Sequence, residues 1–142
     1  MLGRNSYTTD ELANGKANIA AQITAYKKLA KEATAHDAVS KALSTFDPQY
    51  FNNMVFVLDR LYVHRVRNVS GKDNNALNEV ELITESLLNN GGVFQTNKVI
   101  KYTPEGSVLG LADGDRILLT AAQFEKLSNA FFAELESRFV SA

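Results

Sequence analysis

The chain has 142 residues, 45% of them apolar and 22% charged, with fifteen Lys and Arg against sixteen Asp and Glu. One globular core suits that length and balance, and disordered, collagen-like and strongly charged classes are excluded. A net charge of −1 gives the whole molecule no electrostatic claim on nucleic acid or an acidic membrane surface.

That sum conceals a division. Residues 1 to 72 carry ten basic and six acidic side chains, a balance of +4, while residues 73 to 142 carry five and ten, a balance of −5. Either the halves pack on each other, or the basic half of one copy meets the acidic half of another. The absence of cysteine excludes disulfides, thiolate metal sites and cysteine nucleophiles. The longest apolar run, Met54 to Leu58, is far short of the roughly 20 residues that cross a bilayer. Since the opening MLGRNSYTTDEL has no apolar signal core, a cytoplasmic, non-membrane protein is expected.

In chain order, Thr8 with Glu11 three residues later reads as a capping box, and Leu12, Ile19, Ile23, Tyr26, Ala30 and Ala33 follow at helical spacing. The first helix is therefore expected over about 9–34. The apolar phase then slips to Val39, Leu43 and Phe46, which predicts a break near Thr34 to Asp37 and a short second helix over about 36–45. Asp47 as cap and Pro48 in the first turn predict the start of a third helix. That helix is apolar nearly all round, so Phe51, Met54, Val55, Leu58, Leu61 and Tyr62 are expected in the core. The remaining stripe of Asn52, Phe56, Asp59 and Val63 is expected to meet another segment or subunit.

NVSGKDNN, residues 68–75, reads as a polar loop turning at Gly71. A helix over about 76–89 follows, stopped by Asn90, Gly91 and Gly92. Residues 98–102, 107–111 and 116–119 read as short strands separated by Pro104, Gly106 and the pair Asp113 and Gly114. Thr120 and Gln123 form a second capping box for a last helix over 121–139, with Phe124, Leu127, Phe131, Phe132, Leu135 and Phe139 on one face. The fold expected is mainly α (α+β): a single domain of about five helices with a small antiparallel hairpin or three-stranded sheet near residues 98–119.

Phosphate-loop, dinucleotide, nucleophile-elbow and zinc-protease patterns are all missing, so no cofactor is expected. His36 and His64 are the only histidines and fall on opposite arms of a helical pair, so no metal site is expected. Glu81 and Glu85, one turn apart, read as an exposed acidic helix face. The apolar middle of the third helix does not suit a nucleic-acid reader, so no nucleic acid is expected as partner.

The densest mixture of chemistry lies between residues 64 and 79. It has an imidazole at His64, cations at Arg65, Arg67 and Lys72, and amides at Asn68, Asn74, Asn75 and Asn78. Ser70 adds a hydroxyl, and Asp73 and Glu79 add carboxylates. Such a set can hold a phosphate or carboxylate and move a proton. It also reads as helix caps and dipole-answering cations around the Gly71 turn.

Within Val57 to Phe139, the stretches VLDRLYVHRVRNVSGKDNNALNEVELI and SVLGLADGDRILLTAAQFEKLSNAFFAELE resemble a family of small uncharacterised bacterial proteins with no assigned activity. The resemblance leaves residues 1 to about 45 unmatched and carries over no catalytic residue. The function expected is a non-enzymatic interaction module that pairs with its own copies as a homo-oligomer. The alternative is a small-anion-binding protein or enzyme with its site at residues 64–79.

Overall fold

The structure, a computed structural model, describes residues 3–140. Five helices follow in order: α1 (Thr9–Ala33), α2 (Asp37–Leu61), α3 (Arg67–Ser70), α4 (Ala76–Asn89) and α5 (Ala121–Phe139). Helices α2 and α5 touch each other, and both touch α1 and α4, so the core lies between a central pair and two flanking helices. Phe51, Val55, Leu58, Leu77, Val80, Phe124, Leu127, Phe131 and Leu135 are fully enclosed there.

The caps agree with the sequence. Thr8 Oγ1 accepts the Glu11 amide at 3.0 Å, but only half of that capping box forms, because the Glu11 carboxylate is taken by Arg4. At α5 both halves form between Thr120 and Gln123. Asn75 caps α4, its side chain accepting from the Asn78 amide.

Pro48 does not start a helix: α2 runs through it unbroken. The apolar positions Val39, Leu43, Phe46, Tyr50, Met54 and Leu58 keep steps of three and four across the proline, as one continuous helix does, although only Met54 and Leu58 of them are buried. What proline removes is the amide that would bond the Ser44 carbonyl. Ser44 and Thr45 are exposed, so water can take that acceptor, while Tyr26 of α1 packs edge-on against Phe51 just beyond. The helix also ends earlier than its apolar content suggests, and Leu61 is exposed rather than buried. Arg65 then pairs with Arg4 in an isolated bridge, in which the Arg4 amide donates to the His64 carbonyl at 2.6 Å and its carbonyl accepts from Val66 at 3.0 Å.

The expected hairpin or sheet near residues 98–119 is absent: among the described residues there is no strand, only isolated bridges at Arg4 with Arg65 and Val93 with Arg116. Of the apolar residues in the expected strands, Ile100, Ile117 and Leu119 are buried, as is Phe94 just before them, whereas Val99 and Leu118 are exposed. Their backbone groups are bonded partly within the segment, where the Phe94 amide donates to the Asp115 carbonyl, its carbonyl accepts from Gly114, and the Ile117 amide donates to the Gly92 carbonyl, and partly by side chains of the helices. Asn52 of α2 donates to the Ile117 carbonyl at 2.8 Å and accepts the Leu119 amide at 3.2 Å, as a strand neighbour would. Glu79 of α4 accepts the amides of Val108 and Leu109 at 2.7 and 2.9 Å. Within the segment, Asn97 accepts from Val99 and Ile100, closing a turn where the first strand was expected.

The first and second halves of the chain share their opposite charges inside the molecule, through Lys16 with Glu136, Lys27 with Glu125 and Arg67 with Glu81. No helix among the described residues is long and apolar enough to cross a membrane.

Close packing between α1 and the centre depends on Gly15. A methyl group there would overlap the Tyr62 hydroxyl, which donates to the Glu11 carbonyl at 3.1 Å, and would press on the Phe132 ring. Although alanine favours a helix over glycine by about 1 kcal/mol, Gly15→Ala should lower stability by about 1 to 3 kcal/mol in urea unfolding. Tyr62→Phe in the same chain should recover part of that loss. Strictly additive losses would contradict the overlap.

Candidate functional site

Most of the 64–79 cluster builds the loop that carries the chain from α3 into α4. Arg67 donates one Nη1 to the Gly71 carbonyl (3.1 Å) and to Asn78 Oδ1 (2.7 Å). Asn78, with no exposed surface, donates to the Gly71 and Asp73 carbonyls, so each side-chain site of this amide is used. Asn75 donates to the Ser70 carbonyl and to Asp73. Gly71 turns the chain at φ +73°, a conformation that other residues rarely adopt.

Arg138 of α5 closes the loop from outside, donating to the Ser70 carbonyl and to both oxygens of Asp73. That hydrogen bond to Arg138 holds the Asp73 carboxyl below its usual range. Nothing near residue 73 in the sequence announces a partner on a helix 65 residues away.

Other members of the cluster stand apart. His64, Asn68 and Lys72 are exposed, and Asn74 reaches Thr103. Glu79 is buried against the Val108 and Leu109 amides, and burial pushes its pKa up while those amides and Lys126 pull it down. It faces the loop, where it has a structural task.

Arg65 and Arg67 do meet in a cleft of about 350 Å³ between the end of α2, α3 and the outer face of α4. Three of the four residues expected at an interface, Phe56, Asp59 and Val63, line it too, whereas Asn52 is bound to the Ile117 and Leu119 backbone. The far wall is Glu81, Thr84, Glu85 and Leu88.

Two ion pairs lie in the cleft walls, and they differ. Arg65 donates to Asp59 at 2.7 Å and to the Tyr62 carbonyl at 2.9 Å, lies over the Phe131 ring, and exposes 7% of its side chain. Arg67 meets Glu81 at 2.6 Å with 34% and 41% of the two side chains exposed. The first is part of the core. The second belongs to the surface class, which contributes about 0 to 1 kcal/mol and can open at little cost.

Ser70 supplies the remaining observation. It lines the cleft, is 3% exposed, and its hydroxyl is buried without a hydrogen-bond partner. A hydroxyl in that state costs about 1 to 3 kcal/mol relative to one that is bonded. The sequence offered Ser70 only as one polar residue in a polar loop.

A larger cleft of about 490 Å³ lies between α1 and α5, with Ile19, Ile23 and Phe132 in its floor and the Lys16–Glu136 and Lys27–Glu125 pairs among its walls. No buried unpartnered atom lies in its lining. Among the described residues no three His, Asp or Glu side chains converge as metal ligands.

No protein-family model matches the chain, and comparisons with curated proteins and with solved structures found no match. The functional reading therefore rests on the cleft itself.

The Asp73 pair gives a pH test. With its folded pKa held below the ordinary 3.8, Asp73 contributes stability above that value and loses it as pH falls through the folded one. Asp73→Asn should therefore be less stable than the parent at pH 6, by no more than about 1 kcal/mol for so exposed a pair. The gap should narrow below about pH 4 in urea titrations; a gap independent of pH would remove the Arg138 contact as its cause.

Proposed function

We propose that the chain is a binding protein for a small molecule carrying a carboxylate or phosphate, received by Arg67 and Ser70 in the cleft between α3 and α4. The observation that carries this is the buried, unpartnered Ser70 hydroxyl in the wall of a cleft that also holds a partly exposed guanidinium. A ligand oxygen would accept from both, relieving the hydroxyl and gaining charge-assisted bonds.

The surrounding structure prepares Arg67 for that task. Gly71 and Asn78 fix one nitrogen of its guanidinium, which leaves the other facing Glu81. Glu81 marks the position an anion would take, since its carboxylate is itself a bidentate anion on this arginine. Displaced, it can turn into water from the surface of α4.

Part of what suggested pairing with another copy has a use within the chain, where three ion pairs join the two halves and Phe51, Val55 and Leu58 of α2 lie in the core. Apolar side chains that a second copy could cover remain exposed at the α1–α2 tip, where Leu29, Val39 and Phe46 are about half exposed, and at Val99 and Leu118.

Calorimetric titration with inorganic phosphate and small carboxylates tests the reading. Glu81→Ala, which removes the competing carboxylate, should tighten binding by about three- to ten-fold, and Ser70→Ala should weaken it by a similar factor without lowering the melting temperature. Identical affinities in all three proteins, or no binding by any of the ligands, would contradict it.

A further inference from the structure

Resting on that reading, we infer that the ligand is a zwitterion of the α-amino-acid type, with an apolar side chain. Five charged side chains line the cleft: Arg65 and Arg67 against Asp59, Glu81 and Glu85. Acids outnumber bases by one before anything binds. Glu85 has no cation; its only hydrogen-bond partner among the described residues is the amide of Asn89, at 2.7 Å.

An anion taking Arg67 would also release Glu81 from its cation. Glu81 and Glu85 stand one turn apart on α4, so two unpaired carboxylates would then face the same cleft, beside a ligand that is itself negative. Like charges at that spacing repel. A ligand bearing an ammonium group removes the conflict, because the cation replaces Arg67 as the partner of Glu81 and lies within reach of Glu85.

Geometry narrows the class. Arg67 and Glu81 are in contact at 2.6 Å, so a molecule inserted between them must present its negative and positive groups close together. An α-amino acid has its carboxylate and ammonium on the same carbon. A long ω-amino acid separates them too far for both to meet this pair unless it folds back. The remaining wall, Phe56, Val63 and Leu88, is apolar, and Leu88 is 67% exposed, an unusual loss of apolar burial that a ligand side chain would reduce. The cleft volume of about 350 Å³ falls in the range of small-molecule sites.

Three probes of matched shape separate the charges: L-leucine, 4-methylpentanoate, which lacks the ammonium, and 3-methylbutan-1-amine, which lacks the carboxylate. Titration calorimetry on the full chain should find leucine bound at least about ten-fold more tightly than either analogue. Glu85→Gln, at an exposed position where the Asn89 bond can persist, should weaken leucine several-fold and leave 4-methylpentanoate unchanged or tighter. Circular dichroism of the variant checks its fold. If 4-methylpentanoate equals leucine, the zwitterion is overturned while the anion site stands. If the amine binds best, or if neither the three probes nor phosphate binds, the anion site falls with it.

Discussion

The arrangement depends on how a long segment without helix or strand satisfies its buried backbone, through bonds within itself and through two helix side chains. Between α4 and α5 the chain runs through residues 90–120 without a helix or a strand, yet it buries Phe94, Ile100, Ile117 and Leu119. Peptide groups that travel inward with such residues must find partners. Glu79 supplies two acceptors from the first turn of α4, where the helix N-terminus also favours a negative charge. Asn52 supplies a donor and an acceptor from the middle of α2. The long segment is thereby tied to both α2 and α4.

A second set of side chains sets the shape of the cleft. Arg67, Asn75, Asn78 and Arg138 take up the carbonyls of Ser70, Gly71 and Asp73, while the hydroxyl of Ser70, a residue that lines the cleft, has no partner. Asn74 Oδ1 of the same loop is also buried without a partner, but Ser70 is the one of the two that lines the cleft. The two arginines divide the work: Arg65, enclosed by Asp59 and Phe131, is scaffold, and Arg67, enclosed on one side only, is available.

Local signals were read well from the sequence wherever the physics is local. Thr8 and Thr120 each cap the helix that their spacing announces, and the apolar face of α5 is buried as its period requires. Pro48 misled because its preference for a first turn was weighed above the uninterrupted helical spacing from Val39 to Leu58, and the one bond that proline removes falls at the exposed Ser44. The expected strands misled for a different reason. Alternating apolar residues record that a segment is half buried, and they do not record what bonds its backbone; Asn52 and Glu79, 65 and 29 residues away from their partners, carry no mark of that role in the sequence. The cleft was legible in part, through Arg65, Arg67, Phe56, Asp59 and Val63, but these were divided between a ligand site and an interface. Only the fold of α2 against α4 brings them together.

Native-state hydrogen exchange on the parent chain and on Glu79→Gln addresses the central claim most directly. A glutamine presents one acceptor oxygen and a donor where the carboxylate presents two acceptors. The amides of Val108 and Leu109 should exchange faster by about ten-fold or more in the variant, while that of Leu119, held by Asn52, changes little. Alternating protection along residues 98–111 that the substitution leaves unaltered would mean that a strand ladder holds this segment, and would contradict the account.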